Sequence, residues 1–195
     1  MNKFFQKLQL FAAIIVFTLN ADAHATKFNK FLPAQSKIQF VFKEMNVPID
    51  GSFKKFNAQL SFNPNKPSPA SAEITIALAS IDAGSTEAND EVAGPLWLNT
   101  KAFPTAHFVT TAIKPLGKNN FDVTGTMTIK GKSHTINAPA TFHLAGQRAV
   151  FEGTFVLKRA DFSIGEGMWA DFGTVANEVQ IKFRLVATST ANKKS

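Results

Sequence analysis

The 195 residues contain no cysteine and no tyrosine. The first absence excludes disulfides, thiolate metal ligands and a lipid-attachment cysteine, so the core alone must hold the fold. The second absence matters because the chain carries 20 phenylalanines. A buried tyrosine needs a partner for its hydroxyl and a phenylalanine does not, which suits a large interior poor in polar groups. Such an interior is either a Phe-rich core or the lining of an apolar cavity, and composition does not separate the two. Histidine is scarce, at positions 24, 107, 134 and 143, without the close pairing a local metal site needs. No Gly-x-Ser-x-Gly elbow supports a serine nucleophile. Neither cofactor nor metal is expected.

Long apolar runs are also missing beyond Leu8–Leu19, which is too short for a membrane span of roughly twenty residues. That run follows Lys3 and Lys7 and precedes the small residues of Ala21-Asp22-Ala23 and Ala23-His24-Ala25. The pattern is that of a secretory signal over residues 1–23, cleaved after Ala23 or Ala25, so the mature protein is expected in the periplasm as one domain, 24–195. Removal takes two lysines and one aspartate, and the formal charge falls from +7 to +6. The remaining lysines are scattered, with no run longer than two, which argues against nucleic acid and leaves transient contact with a membrane surface open. Oligomeric state is equally open, a homodimer among the options.

What the chain does have is alternation. Val179, Ile181, Phe183 and Leu185 alternate with Gln180, Lys182, Arg184 and Val186, the period of a strand with one buried face. Together with Gly153–Lys158 this last run forms the pair expected to finish the sheet. Earlier strands are read at Ile38–Lys43, Phe56–Phe62, Ala72–Leu78, Phe108–Ile113, Phe121–Ile129, Ile136–Leu144 and Arg148–Lys158. Turns are placed at Pro48-Ile49-Asp50-Gly51, Asn63–Pro67, Leu116–Asn120, Lys130-Gly131-Lys132 and Gly146-Gln147. A short helix over Gly84–Val92, capped by Ser85 or Thr86, interrupts the meander after the third strand. The expectation is an all-β fold, a single elongated antiparallel barrel of about eight strands, with a two-sheet sandwich as the alternative.

Between the last two strands lies an excursion marked by glycines and aromatics. Gly165-Glu166-Gly167-Met168-Trp169-Ala170 formally fits a dinucleotide fingerprint but lacks a β-α-β setting. Arg159, Asp161 and Asp171 group nearby, either as a structural ion pair and turn bonds or as acid–base machinery. The structural reading is preferred, with Arg159 and Asp161 tying the loop and Trp169 plugging it.

Five blocks in order carry a resemblance: Ser36–Phe40, Gly51–Phe56, Phe103–Ala106, Gly125–Gly131 and Lys158–Gly165. They resemble the YceI-like periplasmic proteins across nearly the whole mature chain. The resemblance implies a lipocalin-like barrel whose apolar lumen binds an isoprenoid chain, such as a quinone tail or polyprenyl lipid. On that footing the lumen is assigned Phe40, Phe42, Phe56, Leu60, Ile74, Ile76, Met127 and Ile129 from the first strands. Phe142, Phe155, Leu157, Ile181 and Phe183 join them from the later ones. Ile164, Met168 and Trp169 are assigned to a mouth or lid. The expected function is non-catalytic sequestration or carriage of the lipid. An enzyme acting on a lipid or amide through Arg159, Asp161 and Asp171, and a stress-related interaction scaffold, are the alternatives.

Overall fold

The computed structural model describes residues 27–68 and 70–190; the segment 1–23 read as a secretory signal, residues 24–26, Pro69 and the tail from Ala191 lie outside them. Its strands are β1 (Phe28–Phe31), β2 (Lys37–Glu44), β3 (Val47–Phe53), β4 (Phe56–Ser61), β5 (Ser71–Ala77), β6 (Ile81–Asp82), β7 (Thr105–Gly117), β8 (Asn120–Ile129), β9 (Lys132–Ala145), β10 (Arg148–Lys158) and β11 (Glu178–Ser189). One helix, α1 (Thr86–Ala93), sits between β6 and β7.

All eleven strands belong to one antiparallel sheet in the order β4-β5-β7-β8-β9-β10-β11-β2-β3-β6, with β1 also on β11. Its two ends are joined by the chain itself. Lys54 and Lys55 link β3 to β4, and the 3-10 turn Leu78–Ser80 links β5 to β6, so each pair is one long strand with a kink. β1 and β2 are likewise two pieces of one course along β11, interrupted by the 3-10 turn Pro33–Gln35. Counted as courses the sheet is an eight-stranded up-and-down ring, and Phe28 and Phe62 seal one end by exchanging backbone hydrogen bonds of 2.8 and 3.0 Å. Closure leaves few free edges, which is how a β protein without disulfides avoids edge pairing.

β10 and β11 pair without interruption from Arg148↔Thr188 to Lys158↔Glu178, as their alternation requires. Two sequence expectations are corrected. The sheet does not begin at Ile38, where the first strand was read: Phe28–Phe31 is already a strand, and its Phe28 is buried. The turn expected at Pro48–Gly51 lies inside β3, and the chain reverses instead at Met45 and Asn46, with φ of 46° and 68°. Pro48 is tolerated because β3 pairs β6 only at Ser52 and Phe53, leaving its N-terminal half with one partner strand. Gly51 is there for close approach, since a Cβ at that position would overlap the Phe40 ring and lie 2.8 Å from the Asp82 carbonyl. Gly51→Ala is expected to cost about 1–3 kcal/mol of stability, read as a lower denaturant midpoint at unchanged slope; an unaltered midpoint would contradict this packing.

Two apolar clusters fill the ring at different heights. Phe28, Phe62, Phe121, Phe142, Ala149 and Ala187 close the end that holds the Asn63–Pro67 loop and the Lys118-Asn119 and Gly146-Gln147 turns. Phe62 meets Phe142 at 4.9 Å and Phe151 at 5.0 Å between ring centroids, an aromatic plug. The second cluster, around Ile38, Ile76, Leu78, Phe108, Met127, Ile129, Leu157 and Phe162, lies toward the opposite end, beneath α1 and the 159–177 excursion.

Candidate functional site

Strand direction decides which residues can surround a cavity at that second end. Phe40 and Phe42 on β2, Ile76 on β5, Met127 and Ile129 on β8, Leu157 on β10 and Ile181 on β11 occupy inward positions at similar height. They bound a cavity of about 480 Å³, within the usual range for small-molecule sites, about 300–1,000 Å³. Along β2 the wall runs from Ile38 to Glu44, a depth of roughly 20 Å at about 3.3 Å per residue. The aromatic plug ends it below, so the cavity occupies part of the barrel rather than its whole length.

Its roof is built from the two segments that break the strand pattern. Ser85 caps α1 by accepting from the Ala88 N–H at 3.1 Å, and the helix turns Glu87, Ala88, Glu91 and Val92 toward the cavity. After Gly94 the chain folds under the helix, burying Trp97 and Leu98 in the wall. The excursion docks on this turn: the Gly165 and Glu166 N–H groups both donate to the Leu96 carbonyl, at 2.9 and 2.8 Å. Trp169 Nε1–H donates to Glu91 Oε1 at 2.7 Å, and its ring lies 5.5 Å from that of Trp97. Glu87 and Glu91 are exposed yet contribute to the wall, which places the mouth beside them.

Arg159 holds the excursion. It is only 2% exposed, and its guanidinium donates to five backbone carbonyls: Ala176 from Nε, Ile164 and Gly165 from Nη1, Trp169 and Val175 from Nη2. The distances run from 2.7 to 3.2 Å, and every N–H is used. Its charge also sits over the rings of Trp97 and Phe172, at 5.5 and 5.1 Å from their centroids. Burial pulls its pKa below the ordinary guanidinium value. Gly165, at φ +76°, is needed here because a Cβ would collide with Nη1.

The expected tie between Arg159 and Asp161 is therefore corrected. Asp161 is exposed, and Asp171 receives the Gly173 N–H at 2.9 Å and the Thr174 hydroxyl at 3.3 Å within its own turn. Carbonyls serve Arg159 better than one carboxylate could, because the excursion must fix several of them at once. Among the described residues, no ion pair joins Arg159 to Asp161 or Asp171. A second brace was not anticipated: Lys130 Nζ donates to the Ser163 carbonyl at 2.6 Å and to Glu166 Oε2 at 2.8 Å.

Lys130 holds the Glu166 carboxyl below its ordinary value of 4.5. The folded protein then binds fewer protons than the unfolded chain in the window beneath 4.5, so this contribution is complete at neutral pH and is lost as the pH falls through the folded value. Glu166→Gln should accordingly flatten the pH dependence of stability below 4.5 while leaving its shape above that pH alone, as followed by thermal melts. An unchanged acid limb would count against the brace.

Several residues assigned to the lumen from sequence lie elsewhere. Phe142 belongs to the aromatic plug, and Leu60 packs against it. Phe56, Ile74 and Phe155 pack behind the second cluster without bounding the cavity. Phe183 spends its ring on the facing Gly153. Of the three residues assigned to a mouth or lid, Ile164 and Trp169 contribute to the wall, and Met168 lies beside Trp169 in the turn Gly167–Trp169, 79% exposed. Missed were Ile38, Phe53, Leu78, Trp97, Leu98 and Val175, along with the α1 face. Ile38 and Leu78 had a signal, since they share the alternating faces of Phe40 and Ile76, and the apolar Leu96-Trp97-Leu98 run is too hydrophobic for a free loop; Phe53, Val175 and the α1 face had none.

Residues 30–187 match the model of the YceI-like domain. A UPF0312 protein of Pseudomonas fluorescens is 33% identical over 144 residues, covering 68% of this chain and 71% of that protein. The crystal structure of Burkholderia cenocepacia BcnA superimposes with a TM-score of 0.79 at 48% identity, over 82% of this chain and all of that one (100%). A domain from Saccharophagus degradans, described as polyisoprenoid-binding and implicated in plant cell wall breakdown, shares the fold at 16% identity and a TM-score of 0.64, covering 85% and 98% of the two chains.

Proposed function

The chain belongs to the YceI-like family, and from that premise we propose that it binds and carries an isoprenoid lipid, a quinone or polyprenyl chain, without catalysis. The observation that carries the reading is the apolar cavity itself, walled by Phe40, Ile76, Met127, Ile129, Leu157 and Ile181 and closed below by aromatic rings. An isoprene unit has five carbons, so its burial is worth on the order of 4 kcal/mol in gross transfer energy at about 0.8 per carbon group. Affinity then comes from buried length, offset by the cost of ordering a flexible chain. The polyisoprenoid-binding description of the S. degradans domain agrees with this ligand class.

The export signal read over residues 1–23 supports a periplasmic setting. Met45, Leu96, Met168 and Phe172 are exposed on the loops at the mouth end, which supports transient contact with a membrane surface during loading. Trp169 acts as the gate, held shut by Glu91.

Both tryptophans of the chain lie in the cavity wall, so intrinsic fluorescence reports its occupation. Titration with an isoprenoid quinone should quench the emission saturably at about one lipid per chain; no saturable change, with no binding by calorimetry, would refute the proposal. Trp169→Phe, which removes the bond to Glu91 but keeps a ring, should raise the rate of lipid release several-fold. Equal release rates in stopped-flow transfer to vesicles would remove Trp169 from the gate.

A further inference from the structure

Basic residues that are scattered along the sequence are gathered by the fold at the closed end of the barrel. Every segment that reaches that end brings at least one: Lys66 in the loop after β4, Lys114 and Lys118 at the β7–β8 turn, Arg148 at the β9–β10 turn, and Lys27 and Lys30 at the start of β1. All six are exposed, and among the described residues none of them is in an ion pair. Register sets part of their spacing. Lys30 and Arg148 both pair with Thr188, from either side of β11, so they share one face of the sheet roughly 10 Å apart, at about 4.8 Å per strand.

Acids in this half are fewer and are engaged elsewhere or set back from the tip. Asp122 lies opposite Lys114, Glu152 is paired with Arg184 at 3.1 Å, and Glu73 stands in register with Gln59 and Val109. At the mouth the signs mix instead, with Lys158 opposite Glu178 and Lys130 on Glu166. The closed end alone presents one sign.

Two apolar side chains stand among the cations: Leu116 before the β7–β8 turn and Leu144 before the β9–β10 turn, 59% and 56% exposed. The phenylalanines of this end are spent on the plug, Phe28, Phe62, Phe121 and Phe142 all being buried, so it offers nucleobases no stacking platform. A blunt end with spaced cations and exposed leucines suits a surface of lipid phosphates, which the charges approach and the leucines enter.

We infer that the closed end docks on anionic bilayers, through Lys27, Lys30, Lys66, Lys118 and Arg148, with Leu116 and Leu144 at head-group depth. The inference is independent of what the cavity holds. A barrel resting on its closed end turns its mouth away from that surface and leaves it free for loading or delivery.

Wild type should co-sediment with phosphatidylcholine vesicles that contain phosphatidylglycerol but not with phosphatidylcholine alone, and ~1 M salt, where the Debye length is about 3 Å, should release it. Lys66→Gln/Lys118→Gln/Arg148→Gln takes one exposed cation from each of three segments and should lower vesicle affinity about a hundredfold, at about fivefold per charge. Lys132→Gln/Lys158→Gln, which removes exposed charge at the mouth, should lower it by no more than about twofold, since those charges lie beyond screening range of the surface. Thermal melts check that both variants are folded. Position is read separately: both tryptophans lie in the cavity wall, so brominated phosphatidylglycerol should leave wild-type emission unquenched and should quench the added signal of Leu144→Trp. Equal binding to the two vesicle types, binding to neither, equal losses in the two charge variants, or quenching of the native tryptophans would each overturn the inference.

Discussion

Replacing Arg159 by leucine should unfold the roof of the cavity and lower stability by on the order of 3–5 kcal/mol, the cost of breaking a buried charged network on one side. The reason is what remains behind. The carbonyls of Ile164, Gly165, Trp169, Val175 and Ala176 would each lose a donor at once, in a segment with little regular structure to compensate. Beyond Arg159, the 159–177 excursion is tied by Met45 N–H to the Thr174 carbonyl, Ala176 N–H to the Lys43 carbonyl, the Lys130 brace and the bonds to Leu96 and Glu91, none of which serves the five carbonyls that Arg159 holds. Lysine is no substitute, because it offers three donors from one point where five in a planar fork are required. Thermal or denaturant melts should therefore place Arg159→Lys close to Arg159→Leu. A lysine variant as stable as wild type would show that charge, rather than the set of five bonds, is what the site needs.

Ala106→Trp should abolish lipid binding. Ala106 is 2% exposed on β7, packs in the second cluster and forms part of the cavity wall, so a larger ring fills the cavity side of the cluster and costs stability, about 1–3 kcal/mol for overpacking. Filling the space of one isoprene unit forfeits on the order of 4 kcal/mol of transfer energy, and about 1.4 kcal/mol is a tenfold change in affinity. The expected loss therefore exceeds a hundredfold. Ile76→Glu should also abolish binding, by placing a carboxylate in the wall, but Ile76 is 9% exposed and packs in the second cluster, so that change costs stability as well. Phe183→Glu, attractive from sequence alone, tests the packing over Gly153 rather than the cavity. Binding that survives Ala106→Trp in a folded protein would place the lipid somewhere else.

The two kinds of information in the chain were unequally readable. Alternation gave the strands because an inward residue and an outward one differ in chemistry at every step, and β10 and β11 could be paired from Gly153–Lys158 and Val179–Ala187. Periodicity says that Phe142 and Met127 both face inward but not at what height. Height depends on register against neighbouring strands, which puts Phe142 in the plug and Met127 in the cavity. Residues 28–31 were missed because Asn29 and Lys30 are outward and only the phenylalanines mark the strand.

The roof was harder for a different reason. Arg159, Trp97 and Glu91 meet through hydrogen bonds and ring contacts between segments far apart in sequence, and no local pattern encodes such a meeting. The sequence suggested a brace at Arg159 and chose the nearest carboxylate for it. A guanidinium that must order an irregular loop is better served by the loop's own carbonyls, and the structure uses them.

The most direct test is to purify the protein under native conditions, extract it with organic solvent and identify the extract by mass spectrometry. Carriage predicts an isoprenoid lipid at close to one per chain, lost from Ala106→Trp purified in parallel. A wild-type protein that yields no such lipid, and takes none up when offered isoprenoid quinone in vesicles, would contradict the account.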